Sequence, residues 1–373
     1  MEFVATCLFG IEGILGAEID SLGYKRTETI DGRITFEAPE SAVARCNIRL
    51  RTAERLYIRL ASFRAETFDA LFEGVKKIEF GDYIGRNDAF PVTGHSVRSK
   101  LFSVPDCQRI IKRAAVAAMN RRYGLERFEE TGVKYRIEFF ILNDIAAIML
   151  DTSGVALHKR GYRAVAGVAP LRETLAAAMV KLSRMRDNVI VCDPMCGSGT
   201  IAVEAALCAT NTAPGLNRSF AAEEFGFLCK RAFRDEREAA RAEITPPFTQ
   251  IFGSDIDPEA VKLAVENAEK AGVGKAISFS VADARKFRSP LDGARGTVIV
   301  NPPYGERMGD LASARELYRE FGRAVQSNIP AWQLYIITSD ADFERYFGRR
   351  SDKKRVLYNG MIKCELFQYF KKH

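Results

Sequence analysis

The 373-residue chain is short of histidine and tryptophan: His95, His158 and His373 are its imidazoles, and Trp332 its one indole. Its eight cysteines are scattered and form no CxxC pair. So few histidines and such dispersed thiols exclude a Cys/His zinc motif, so no metal is expected. The thiols read as reduced and the compartment as cytoplasmic. No run approaches the ~18 apolar residues of a membrane span. The opening "MEFVATCLFGIEGIL" lacks a basic leading region and a long apolar core, so it is not read as a signal peptide. There is no low-complexity tract and no internal repeat.

What remains is an ordinary globular composition, 47% apolar and 28% charged, at a length that suggests about two or three units. The formal charge of +7 is unevenly placed. Residues 95–123 carry seven Lys/Arg against one acid, Asp106, and residues 345–373 carry nine against two. Such patches suit a polyanion partner, or else a solvated helix face.

The pattern changes near residue 165. Before it, "FVATCLF", "RITFEA" and "RLYIRLASF" read as strands between amphipathic helices, a small α+β unit over 1–65. A second unit, 66–155, holds the long helix "VPDCQRIIKRAAVAAMNRRYG" and a hairpin turning at Asn143-Asp144. A Gly-rich basic linker, "HKRGYRAVAGVAP", follows. From 189 the strands are continuously apolar ("VIVCDP", "IFGSD", "ISFSVAD", "GTVIVNPP", "QLYIITS") and alternate with helices, which predicts a parallel sheet covered on both faces over 156–373. The end reads as a two-stranded hairpin at the sheet edge. Residues 211–248 break the alternation and read as a charged helical insertion.

"VIVCDPMCGSGTIAVEAAL" is a strand, a Gly-rich turn and a helix. In a doubly wound sheet the ligand sits at the carboxyl ends of the strands, by the first such turn. A dinucleotide fingerprint would need a third glycine where Ala202 stands, and Asp193 before the turn would repel a pyrophosphate. An acid there suits a cationic ligand such as S-adenosylmethionine, whose carboxylate the glycine-loop N–H groups could take. Asp255 and Asp283 end the next two strands, placed for ribose hydroxyls and the adenine amino group. Asp257 competes for the ribose role, but before Pro258 it fits a helix cap better. The candidate cofactor contacts are Asp193, Pro194, Cys196, Gly197, Ser198, Gly199 and Thr200 in the first loop. Asp255 and Ile256 follow in the second, and Asp283 and Ala284 in the third.

"NPPY" ends the fourth strand and faces the same crevice. An exocyclic amine on a nucleobase is a poor nucleophile, its lone pair delocalised into the ring. Asn301 Oδ1 and the Pro302 carbonyl could accept its two N–H bonds and so aim the lone pair. Pro303 stiffens the segment, and Tyr304 could stack on a base swung out of its helix. Asn301, Pro302, Pro303 and Tyr304 are the candidate catalytic residues.

Together, "DPMCGSGT", "GSDIDP", "ADA" and "NPPYGERM" resemble the class I motifs of the THUMP-domain RNA methyltransferases. The nearest likeness is the bacterial group making N2-methylguanosine in large-subunit ribosomal RNA, often labelled N6-adenine-specific DNA methylases. The resemblance covers nearly the whole chain: 1–65 resembles the group's ferredoxin-like unit, 66–155 its THUMP domain and 156–373 its Rossmann-like catalytic domain. It implies an α/β fold with S-adenosylmethionine as cofactor and RNA as partner, gripped through Arg98, Lys100, Arg109, Lys112 and Arg113. One catalytic domain implies one modification. The residues leave other readings open: adenine N6 in RNA or DNA, guanine N2 in tRNA, an RNA-binding assembly factor without catalysis, or, disfavoured by the missing glycine, a nicotinamide oxidoreductase. No feature decides between monomer and homodimer.

Overall fold

The computed structural model describes residues 1–163, 171–304 and 310–370. His373, linker residues 164–170 and residues 305–309 after the NPPY segment lie outside the described residues. The first half builds β1 (Glu2–Thr6), α1 (Glu12–Ser21), β2 (Lys25–Ile30), β3 (Arg33–Glu37), α2 (Ala42–Arg49), β4 (Arg55–Arg64), α3 (Phe68–Lys76), β5 (Val92–Val97), α4 (Val104–Tyr123), β6 (Ile137–Leu142) and β7 (Ile145–Asp151). Asn143 and Asp144 both take positive φ, 49° and 64°, as a tight β6–β7 hairpin requires. Gly124, at φ 64°, closes α4.

The two amino-terminal units share one seven-stranded sheet, ordered β2-β3-β1-β4-β7-β6-β5. The seam is the antiparallel β4–β7 pair, which runs from Tyr57–Asp151 to Arg64–Ile145. A strand from each side of residue 65 thus completes the other's hydrogen bonding, and neither unit has a free edge there.

The second half builds α5 (Glu173–Ser183), β8 (Ile190–Asp193), α6 (Thr200–Ala209), α7 (Ala232–Ala242), β9 (Ile251–Asp255), α8 (Pro258–Lys270), β10 (Ile277–Val281), β11 (Gly296–Val300), α9 (Asp310–Asn328), β12 (Gln333–Thr338), α10 (Phe343–Phe347), β13 (Lys353–Asn359) and β14 (Ile362–Tyr369). Its sheet runs β10-β9-β8-β11-β12-β14-β13, parallel except for β14, which inserts antiparallel between β12 and β13. The order reverses between β8 and β11, so a crevice opens at their carboxyl ends. β11 is buried along its whole length. Trp332, expected in the core, is buried and donates its indole N–H to the Ala294 carbonyl at 3.1 Å.

Residues 211–248 are mostly turns and irregular chain around one main helix, α7, and they clamp the two halves together. Phe225 stacks on Tyr135 with ring centroids 4.4 Å apart, and the Tyr135 hydroxyl accepts the Gly226 N–H at 2.8 Å. Phe227 meets Tyr83 edge-on at 5.1 Å. Arg49 of α2 pairs with Glu236 and Glu243. Gly215 donates to the Ile48 carbonyl at 2.9 Å, and a Cβ there would lie 2.7 Å from Ile48 backbone. Several charges of the insertion therefore form this joint.

Candidate cofactor and target-amine site

The first loop is fixed mostly by its own neighbours. Gly197 and Gly199 take φ 49° and 80°, conformations costly for other residues. A Cβ on Gly199 would meet Ala264 at 2.9 Å, whereas the Cβ direction of Gly197 is open. The Gly197 N–H, expected to serve a ligand carboxylate, instead donates to Asp255 Oδ2 at 2.9 Å. Asp255 Oδ1 accepts the Asp257 N–H at 3.1 Å. Asp255 thus pins two loops, with lone pairs left on each oxygen. Asp257 accepts the Glu259 N–H at 2.9 Å, so it caps α8 as read from the sequence.

Asp193 is only 2% exposed. Burial holds its carboxyl well above the usual carboxylate range, opposed by the Met195 N–H and reinforced by Asp255. Asp283 behaves oppositely: Arg285 beside it keeps its carboxyl below the usual range, and the two pair at 2.8 Å.

A cleft of about 370 Å³ opens beside these loops. Pro194, Asp255, Ile256, Asp283 and Ala284 line it, together with Met195, Arg285 and the α9 residues Ser313, Glu316, Leu317 and Glu320. Asp193, Cys196, Gly197, Ser198, Gly199 and Thr200 do not line it. Cys196 and Thr200 are buried behind the loop. The apolar floor, exposed Ile256 and the hydrogen-bond-accepting carboxylates of Asp255 and Asp283 suit a purine ribonucleoside, and the open Gly197 leaves room beside it.

Three residues that support this frame escaped the sequence reading. Asn267 of α8 is fully buried and donates to the Ser198 carbonyl at 2.9 Å. Arg163, in the linker, donates to Thr200 Oγ1 at 2.9 Å and pairs with Glu173 at 3.3 Å. Tyr318 of α9 donates to the Pro303 carbonyl at 2.5 Å. Each acts across a long sequence separation, and none carries a local signal.

Asn301 follows β11 directly, at the crevice. Its Oδ1 accepts the Tyr304 hydroxyl, which the Cys364 thiol also approaches at 3.9 Å. The half-buried Tyr304 ring packs on the core, not outward where a base could stack on it. In this conformation the tyrosine covers the acceptor expected to meet the amine.

The RMKL-like methyltransferase domain model of family UPF0020 matches residues 160–368. The chain belongs to this methyltransferase family. Models of the RlmL ferredoxin-like domain and of the THUMP domain match residues 2–57 and 65–151. "Putative RNA methyltransferase YpsC" of Bacillus subtilis (strain 168) is 44% identical over 99% of this chain and 96% of its own length. The ribosomal RNA large subunit methyltransferase K/L of Methylococcus capsulatus is 34% identical over 99% of this chain, which spans 51% of that longer protein. The crystal structure of SMU.472, a methyltransferase homologue complexed with SAH, is 36% identical, with a TM-score of 0.91 over 100% of this chain and 98% of that one. The RMKL-like protein is thus an S-adenosylmethionine-dependent methyltransferase.

The amino-terminal cations divide in the structure. Arg98 is exposed, at φ 49° in the turn after β5, and the exposed Phe102 (81%) lies four residues on. Lys100 pairs with Glu66 and Arg109 with Asp106, both at the surface. Arg113 is exposed, 4.9 Å above the Phe72 ring. Lys112 departs from its expected role. It is half-buried, donates to the Phe90 carbonyl at 3.0 Å, lies 3.4 Å from that ring centroid and pairs with Glu130. Its ammonium holds the fold together and is not offered to a polyanion. Among the described residues, no His/Cys/Asp/Glu group could hold a metal ion, and no helix is long and apolar enough to cross a membrane.

Proposed function

We propose that the protein methylates an exocyclic amine of a base in structured RNA, with guanine N2 of large-subunit ribosomal RNA as the target. The observation that carries this reading is the position of Asn301–Tyr304. The segment leaves β11 beside β8, so the carboxamide lies at the carboxyl end of the sheet, next to the strand that Asp193 ends, although Asn301–Tyr304 are not among the residues lining the cofactor cleft. Asn301 Oδ1 and the Pro302 carbonyl accept the two amine N–H bonds and turn the lone pair toward the cleft. For that, the Tyr304 hydroxyl must release Asn301. Its ring then turns to stack on the flipped base. Tyr318, holding the Pro303 carbonyl, keeps the Pro-Pro backbone in place while Tyr304 moves. S-adenosylmethionine supplies a methyl group on a cationic sulfur, so no strong base is needed before transfer. Alignment does most of the work, and well-oriented reactants gain on the order of 7–11 kcal/mol.

Direct cofactor contacts are assigned to Pro194, Asp255, Ile256, Asp283 and Ala284, which line the cleft, with Asp193, Cys196, Gly197, Ser198, Gly199 and Thr200 behind them. For Asp193, Cys196 and the Gly-loop residues the role is mainly to shape the wall. The THUMP unit supplies the RNA grip through Arg98, Lys100, Arg109 and Arg113. The ribosomal target is supported by the name of the K/L relative. Adenine N6 would use the same Asn-Pro-Pro-Tyr clamp, and a tRNA guanine the same chemistry.

The test uses radiolabelled S-adenosylmethionine with rRNA, tRNA and DNA from a strain lacking the gene, followed by nucleoside separation. Label is expected in N2-methylguanosine from large-subunit rRNA. Label in N6-methyladenosine would keep the clamp and overturn the base. Label in no nucleic acid, with cofactor still bound, would favour an RNA-binding assembly factor.

A further inference from the structure

A second cleft, of about 600 Å³, lies at the opposite end of the catalytic sheet from the cofactor. It is bounded by α1, the carboxyl end of α5, the start of β12 at Gln333, β13 and the end of β14. Among the described residues five cations line it: Lys181, Arg184, Arg186, Lys353 and Arg355. Among the described residues its one lining acid is Glu18, whose Oε2 is already bonded to the Arg51 N–H and to the Thr52 N–H and hydroxyl. Lys181 stands 3.7 Å from Glu18 Oε1. Among the described residues the other four cations form no ion pair. Four uncompensated positive charges around one concavity repel each other, and the folded chain keeps them there.

A second observation points to a ligand. Gln368 is 4% exposed, and its Nε2 has no hydrogen-bond partner. The buried Nε of Arg355 is likewise unpartnered. A buried donor without an acceptor costs roughly 1–3 kcal/mol, so such groups call for an acceptor from outside the chain. Arg184 ends α5 at φ 50°, a left-handed conformation usually left to glycine. Arg184 and Arg186 line the cleft together with the buried Tyr335. Burial is the larger influence on the Tyr335 hydroxyl and raises it, while the two arginines pull it back.

We propose that this cleft binds phosphate-bearing anions, with the Arg184, Arg186 and Arg355 guanidiniums as the principal contacts and Gln368 as a buried donor. Guanidinium forks match phosphate oxygens two at a time. The source is either a phosphodiester stretch of the RNA substrate reaching past the ferredoxin-like unit, or a free phosphate compound. The free-phosphate arm does not depend on the methyl-transfer reading, whereas the RNA arm rests on RNA being the substrate.

The test compares the full-length protein with Arg184→Gln/Arg186→Gln, a surface change that leaves the fold and the cofactor cleft intact. Melting temperature is followed against pyrophosphate, and RNA binding to a large-subunit rRNA transcript is followed against salt. A pyrophosphate-dependent rise in melting temperature is expected for the parent and not for the variant, since a ligand binding only the folded state stabilises it. If RNA uses the cleft, the variant's log-affinity against log-salt slope falls by about 1.4 to 1.8, the share of two lost phosphate contacts. A lost pyrophosphate shift with unchanged RNA binding assigns the cleft to a free phosphate compound. Equal pyrophosphate shifts, or none in either protein, together with equal salt slopes, overturn the proposal. An unfolded variant would show at once by its lost melting transition, and Arg355→Gln then carries the same comparison.

Discussion

In the amino-terminal sheet the arginines meet partners nearly one for one: Arg59 with Glu2, Arg55 with Asp151, and Arg33 over the Phe140 ring at 3.4 Å. At the carboxyl end of the catalytic sheet Asp255 and Asp283 line one cleft, with Arg285 paired to Asp283, and the buried Asp193 ends the neighbouring strand. The difference separates structure from function. Paired charges close a surface, and their individual worth is about 0–1 kcal/mol when exposed. Like charges gathered at a concavity raise the energy of the empty site and lower it when the right ion arrives. The acidic crevice suits a cationic cofactor, and the basic cleft at the far end of the same sheet reverses the sign.

The largest break in that comparison would come at Asn301. Asn301→Ala leaves every carboxylate of the cofactor cleft in place, so cofactor binding should persist. Turnover should fall by roughly 10²–10³, the usual cost of one lost charge-stabilising contact. Binding calorimetry beside a methylation assay separates the two, and full turnover in the variant would refute the amine clamp. Tyr318→Phe sharpens the same point. It removes a 2.5 Å hydrogen bond to the Pro303 carbonyl, worth about 0.5–1.5 kcal/mol, and should lower kcat several-fold with cofactor affinity unchanged.

The next prediction concerns Asp193. Burial raises its folded carboxyl above the unfolded value of about 3.9. The folded chain therefore keeps a proton that the unfolded chain releases. Its contribution to stability is complete below that unfolded value and declines as pH rises toward the folded one. Asp193→Asn should melt higher than the parent at pH 7 without cofactor, with the gain vanishing near pH 4, and should bind cofactor less well. A gain independent of pH would mean that Asp193 is ionised in the fold.

Much of this was legible in the sequence because strand ends are local events. "VIVCDP", "IFGSD" and "GTVIVNPP" announce both a strand and the acid or carboxamide at its tip, and the sheet order does the rest. What was not legible depends on partners far along the chain. The Gly197 N–H goes to Asp255, fifty-eight residues on, and not to a ligand. Tyr304 folds back onto Asn301 because the half-buried site gives its ring a packed surface and its hydroxyl an acceptor. The 211–248 segment reads only as a charged helical insertion because its aromatics match rings, Tyr83 and Tyr135, that periodicity does not connect to it.

The smallest effect decides how far charge alone identifies an RNA contact. Arg98 and Lys112 are equal as sequence, two cations in one basic stretch, but the structure separates them. Lys112→Gln leaves Glu130 without its cation and the Phe90 carbonyl without its donor. It should cost about 1–3 kcal/mol of stability while leaving the salt dependence of RNA binding unchanged. Arg98→Gln should do the reverse. An exposed side chain away from the core changes stability by about 0.5 kcal/mol at most. The loss of one phosphate contact should reduce the salt slope by about 0.7 to 0.9. Chemical denaturation and RNA titration on the two variants give four numbers, and the crossed pattern is the expected one. If Lys112→Gln instead weakened RNA binding and Arg98→Gln did not, the buried ammonium would have to move on RNA binding, and the distinction between paired and offered charges would fail at its clearest case.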